Sequence, residues 1–194
     1  GSHYSQVKKT ISRLSLHTVC NEARCPNVGE CYGAGTAAFL ILGDICTRHC
    51  AYCAVKHGIP KPQDQAEPER IARAVAELSL RYAVITSVTR EDLSDGGASF
   101  FARTVSAIKK DNSGCGVEVL VPDFRGSMER SMDTITATRP DVLNHNIEVV
   151  RGHFPRLRPQ GDYEASLLLL RRGAGLELSV KSGFLVGFGE SFDD

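Results

Sequence analysis

Residues 39–53 read FLILGDICTRHCAYC: an apolar run, a glycine-aspartate break, and then Cys46, Cys50 and Cys53. The apolar half belongs to the longest such run in the chain, Ala37 to Leu42. That run has the length of a buried strand and falls far short of the roughly 20 residues of a spanning helix. The cysteines follow at spacing C-x3-C-x2-C, so three thiols leave the carboxyl end of one strand on a single loop.

Working outward, Ala38 to Leu42 is the first of five short apolar runs that read as buried strands. The others are Tyr82 to Val88, Val117 to Val121, Val142 to Ile147 and Leu178 to Val186. Helical spacing fills the gaps between them. Pro68 stands where a first helical turn tolerates proline, and Ile71, Val75 and Leu78 share one face. Phe101, Val105 and Ile108 repeat the pattern, as do Met128, Met132 and Ile135, and Asp162 can cap a fourth helix that ends before Gly173. Strands alternating with helices imply a parallel sheet. With its helices on one side such a sheet closes toward a barrel, whose functional residues sit at the carboxyl ends of the strands. Each strand is followed by polar residues suited to that place: CTRHCAYC, TREDL, PDF, Asn144-His145-Asn146, and Gly187 to Glu190.

The 194 residues suit one domain. Basic and acidic residues number 23 each, so no net field draws the chain toward nucleic acid or an anionic membrane, and neither is expected as a partner. A composition 42% apolar and 24% charged is that of a folded chain. No charged-then-apolar leader opens the sequence, which points to a soluble, unexported protein in a reducing compartment. That compartment is the cytoplasm, or the mitochondrial matrix or a plastid after removal of a transit peptide.

Six of the seven cysteines form two triplets, Cys20, Cys25 and Cys31, then Cys46, Cys50 and Cys53, while Cys115 stands alone and reads as a free thiol. Clustered thiols in a reducing compartment bind metal rather than pair as disulfides. Structural zinc takes four ligands, usually as two close pairs, a form neither triplet has. Three thiolates suit a four-iron cluster with one iron left open. Zinc is the alternative.

CTRHCAYC, with the aromatic Tyr52 just before its last cysteine, resembles the signature of the radical S-adenosylmethionine (SAM) superfamily. The upstream triplet CNEARCPNVGEC, spaced C-x4-C-x5-C, is similar to that of the lipoyl synthase family within it. The resemblance continues through ITSVTREDLSDGG, LVPDFRG, PDVLNHNIE and KSGFLVGFGE. It implies an α/β fold: a partial parallel (β/α) barrel of the radical SAM type, built from six units. The sequence stops just beyond the fifth strand, so the last unit is expected to be missing. Residues 1–36 are then an N-terminal extension carrying the auxiliary-cluster cysteines, and residues 37–194 the partial barrel.

The resemblance also implies two [4Fe-4S] clusters. On Cys46, Cys50 and Cys53 the open iron would chelate SAM, whose reductive cleavage releases a 5'-deoxyadenosyl radical. On Cys20, Cys25 and Cys31 an auxiliary cluster would give up sulfur for insertion at carbons 6 and 8 of a protein-bound octanoyl-lysine. In that family a serine near the carboxyl terminus completes the auxiliary site, and this sequence lacks it. The implied partners are an octanoylated lipoyl carrier protein or domain and a low-potential electron donor of the ferredoxin or flavodoxin type. Two other readings stand beside this one: another two-cluster radical SAM enzyme, and a non-catalytic iron-sulfur or zinc-binding module.

The candidate SAM contacts are Tyr52, Thr86, Ser87, Glu91, Asn144, Asn146 and Lys181. Each has a plainer reading. Thr86, Ser87 and Glu91, with Asp95-Gly96-Gly97, could be only a turn and a helix start. Asn144 and Asn146 end an apolar strand, where polar groups without partners are costly to bury. His145 between them reads as a structural histidine with no general-base role. Lys181 could form an internal salt bridge, and GFLVGFG could be a glycine-relaxed strand. Arg48 and His49 either offset cluster charge or are solvated loop residues, and Arg125, Arg156 and Arg158 could hold a carboxylate or an acidic partner surface, though each is first expected at the solvated surface.

Overall fold

The computed structural model describes residues 2–22, 25–176 and 178–193. The chain opens with helix α1 (Ser2–Arg13), a two-residue strand β1 (His17–Thr18), and short helices α2 (Val19–Glu22) and α3 (Val28–Gly33). Strand β2 (Thr36–Ile41) follows, and the cysteine loop is bracketed by a small parallel ribbon of β3 (Ile45–Cys46) and β4 (Lys56–His57). Helices and strands then alternate: α4 (Glu67–Glu77), β5 (Tyr82–Ser87), α5 (Ala98–Asp111), β6 (Gly116–Leu120), α6 (Met128–Thr136) and β7 (Val142–Asn144). Short α7 (Phe154–Leu157), α8 (Tyr163–Gly175) and β8 (Ser179–Lys181) complete the order.

The main sheet runs β1-β2-β5-β6-β7-β8. All its pairs are parallel except β1 with β2. Register places Phe39, Ile85, Val119 and Leu143 side by side across four strands, all fully buried. Because side chains alternate along a strand, this row is the apolar face on which the helices pack, and the neighbouring row faces the concave side. One core cluster extends from Val7 and Ile11 of α1 through the sheet to Leu169 of α8. No helix among the described residues is long and apolar enough to cross a membrane.

Helix ends follow local chemistry. Pro68 sits in the first turn of α4, and Glu67 accepts a hydrogen bond from the Leu42 backbone N–H at 2.9 Å, fixing α4 against the end of β2. Asp162 caps α8 by accepting from the Ala165 N–H at 3.0 Å. Asp95 accepts from the N–H groups of Gly97 and Ser99. Gly97, at φ 92°, leaves no room for a Cβ against Leu42. The Asp95-Gly96-Gly97 stretch is therefore a helix start.

Three expected elements end more than two residues from where the sequence placed them. The fourth strand ends at Asn144 instead of Ile147, and the fifth covers 179–181 instead of 178–186. Among the described residues β8 pairs only with three-residue β7, and beyond it the pairing resumes only as an isolated parallel bridge between Glu148 and Phe184. The chain beyond it turns through Gly187 and Gly189, both at positive φ. The fourth helix runs through Gly173 to Gly175. Gly173 serves as a packing position there: a Cβ would collide with Leu143 on β7.

Candidate active site

The carboxyl ends of β2, β5, β6 and β7 surround a cavity of about 290 Å3. Cys46, Cys50 and Cys53 line it together with Tyr52, Thr86, Ser87, His145 and Asn146, and with Glu148 and Arg158. Val19, Leu40, Val88, Leu120 and Val121 supply an apolar wall. The structure thus gathers the second triplet and four of the seven expected SAM contacts in one hollow.

All six cysteines of the two triplets are free thiols. Burial pushes Cys50 and Cys53 above the ordinary thiol range, and neighbouring thiols of the loop push the same way. For Cys50 this is opposed by the Tyr52 hydroxyl and by the cations Arg158 and Arg48. Three thiolates therefore need a compensating cation, and metal binding must release protons. Cys46 Sγ accepts two backbone N–H groups, from Arg48 at 3.4 Å and Thr89 at 3.3 Å. Among the described residues no three His, Cys, Asp or Glu side chains converge closely enough to hold a single ion.

Arg48 is neither solvated nor a loose counter-charge. It is 4% exposed, donates NH1 and NH2 to the two oxygens of Asp123 at 2.7 and 2.8 Å, and reaches Glu91 Oε1 through Nε and NH2 at 3.1 and 2.8 Å. Burial alone would push the Asp123 carboxyl up, but Arg48 and then Arg158 hold it below the usual carboxylate range. Glu91 is thus a partner of Arg48 and does not line the cavity. Arg158, expected at the surface, is buried and donates to the Asn146 carbonyl at 3.0 Å. Glu148 and the burial of Arg158 were not foreseen, and Asp123 lies in the PDF stretch expected at a strand exit while its pairing with Arg48 was not. The signal available was a charged residue just past the end of an apolar strand.

Register places Leu40, Thr86, Leu120, Asn144 and Lys181 in one row on the concave face. Thr86 Oγ1 donates to the Leu120 carbonyl at 2.9 Å. Asn144 Nδ2 and Lys181 Nζ both turn to Glu118 Oε1, at 2.7 and 3.1 Å, and the Tyr82 hydroxyl donates to Glu118 Oε2 at 2.8 Å. Lys181 and the Asn144 amide nitrogen are therefore held by a buried carboxylate, as the plainer reading of Lys181 anticipated, while Asn144 Oδ1 has no partner among the described residues.

Among the described residues, two buried polar atoms lining the cavity have no partner, Ser87 Oγ and His145 Nε2. His145 Nδ1 lies 2.8 Å from the Val121 carbonyl, an acceptor, so the proton sits on Nδ1 and Nε2 offers a lone pair. Burial pushes this histidine down to about 4. The unfolded chain then binds one more proton than the native chain between pH 6.5 and about 4, so the stabilisation is present above that window and lost as pH falls through it. The metal-free protein is expected to lose about 3 kcal/mol from this group across the window. His145→Gln, which keeps a donor for the carbonyl, should flatten that part of the pH profile in denaturant titrations. An unchanged slope would contradict the assignment.

The first triplet clusters around Cys20. Cys20, in α2, is buried, and Cys25 and Cys31 are half-buried. Burial pushes Cys20 up, with Cys25 and Cys31 adding like-charge repulsion. The Cys25 N–H bonds to the Cys20 carbonyl at 3.2 Å. Val19, adjacent to Cys20, reaches the cavity wall.

The family model described as the radical SAM superfamily matches residues 40–194. The lipoyl synthase of Rubrobacter xylanophilus is 53% identical over 98% of this chain and 60% of its own length. The lipoyl synthase of Chloroflexus aurantiacus is 52% identical over all of this chain and 64% of its own length. The chain thus spans under two thirds of the length of these relatives. Among solved structures, methylornithine synthase (PylB) superposes with a TM-score of 0.62 over 96% of this chain and 57% of that one, at 12% identity, a likeness of fold. With the partial parallel barrel, the thiol loop beyond its first strand and this match over most of the length, the chain belongs to the radical SAM superfamily.

Proposed function

We propose that this chain carries the catalytic barrel of a lipoyl synthase: a radical SAM sulfurtransferase acting on an octanoyl-lysine presented by a lipoyl carrier protein. The observation that carries the reading is the convergence of Cys46, Cys50 and Cys53 on one largely apolar cavity at the carboxyl ends of the strands, with a second cysteine triplet clustered around Cys20. The identity of about half to curated lipoyl synthases over the whole chain supports it. The donor set fits the groups implied. Cys46, Cys50 and Cys53 would hold one [4Fe-4S] cluster, and Cys20, Cys25 and Cys31 an auxiliary one.

When bound, the clusters and SAM supply what side chains lack, a radical able to attack unactivated C–H bonds and a source of sulfur. The chain's own residues bind and orient. His145 Nε2 and Ser87 Oγ offer hydrogen bonds to a polar ligand inside the cavity, as SAM requires. The wall of Val19, Leu40, Val88, Leu120 and Val121 excludes water and accepts an alkyl chain. A low-potential ferredoxin- or flavodoxin-type donor would supply electrons. A reducing compartment such as the cytoplasm suits six free thiols.

The test is anaerobic loading with iron and sulfide, followed by SAM and a strong reductant. Formation of 5'-deoxyadenosine is expected from this chain, and sulfur insertion into an octanoyl-lysine peptide from a polypeptide of the relatives' full length. Uptake of zinc in place of iron, or intact SAM on fully loaded protein, would favour the non-catalytic metal module.

A further inference from the structure

The cysteine loop has little regular structure to hold it, yet its centre is among the most buried charged positions in the chain. Arg48 lies between Cys46 and Cys50 and is 4% exposed, and Asp123, which takes its fork, is 3% exposed. The pair joins residues 75 positions apart. All three guanidinium nitrogens are engaged: NH1 and NH2 on Asp123, and Nε with NH2 on Glu91. Only a planar fork can meet two carboxylates this way, and lysine cannot. Around it, Thr47 N–H and Oγ1 both donate to the Thr89 carbonyl at 3.0 Å, and the His49 N–H donates to Gln160.

We propose that Arg48 is a positioning residue: through Asp123 and Glu91 it fastens the cysteine loop to the exits of β5 and β6, and so presets the three thiols for the cluster before any iron arrives. The inference rests on the reading that Cys46, Cys50 and Cys53 hold an iron-sulfur cluster. Groups that orient metal ligands from behind typically change affinity roughly 10–100-fold when removed.

Arg48→Met alone leaves Asp123 buried without its main partner and is expected to unfold more easily. Arg48→Met with Asp123→Leu removes both charges, and apolar replacement of a buried pair commonly restores stability. The chain and the double variant are loaded with iron and sulfide, and three quantities are compared: melting temperature of the metal-free protein, rate of iron loss to a ferrous chelator, and the electron paramagnetic resonance spectrum of the reduced cluster. The expected result is a double variant that melts close to the unsubstituted chain yet loses iron about tenfold faster or more, with a broadened spectrum. A double variant that keeps both stability and cluster would overturn the proposal while leaving the function standing. If the double variant still melts low, Arg48→Lys decides. It retains the charge, and fast iron loss from a stable Lys variant supports the positioning role, whereas normal retention overturns it. An unsubstituted chain that takes up no cluster would overturn both the proposal and the reading beneath it.

Discussion

Cys50→Ala is expected to reduce SAM cleavage to background, while Cys31→Ala leaves it near the level of the unsubstituted chain. The difference follows from where the two thiols lie. Cys50 lines the cavity beside Arg158 and Tyr52, and its loss leaves two anchors where the proposed cluster needs three. Cys31 belongs to the triplet around Cys20, which contributes Val19 to the cavity wall but no cysteine to its lining. In a polypeptide of the relatives' length, both substitutions should abolish sulfur insertion. Measuring 5'-deoxyadenosine and sulfur-containing product in the same reactions separates the two roles. Equal loss of SAM cleavage in both variants would remove the division of labour between the triplets.

Phe101→Ala is expected to destabilise the metal-free chain by about 3–5 kcal/mol, a large share of the roughly 5–15 kcal/mol that holds a domain together. Phe101 is fully buried on α5 and meets Phe124 edge-on, with ring centroids 6.3 Å apart and planes at 82°. Removing the ring leaves a cavity and deletes that aromatic contact. Phe124 follows Asp123 and sits at φ 47°, a left-handed conformation that its packing must hold. The same substitution should therefore weaken retention of the cluster as well as the fold. Val186→Ala, at a side chain 77% exposed, should stay within about 0.5 kcal/mol. Urea titration of the three proteins gives the comparison, and a Phe101→Ala loss no larger than that of the surface variant would contradict this account of the core.

Sequence periodicity made most of the barrel legible. β2, β5 and β6 coincide closely with apolar runs, and α4, α5 and α6 with residues spaced three and four apart, because each element is long enough to show its period. β1, β3 and β4 have two residues each, too few for any period to register. β8 stops at Lys181 and pairing resumes only at the isolated Glu148–Phe184 bridge, an interruption that the apolar run from Leu178 to Val186 does not record. At the site, the cysteine spacing was readable because both triplets are local. The Arg48 network was not, since its carboxylates come from the exits of two other strands and meet it only after folding. The same holds for Glu118, whose position within an apolar strand gave no sign that Tyr82, Asn144 and Lys181 would converge on it.

The account depends on two separate iron-sulfur cages, and counting metal on the anaerobically loaded chain tests this most directly. Iron and sulfide analysis with Mössbauer spectroscopy should give about eight irons per chain, as two cysteine-ligated four-iron clusters. The value should fall to about four when either triplet is replaced by alanine. Zinc bound in place of iron, or an iron count that does not change when a triplet is removed, would contradict it.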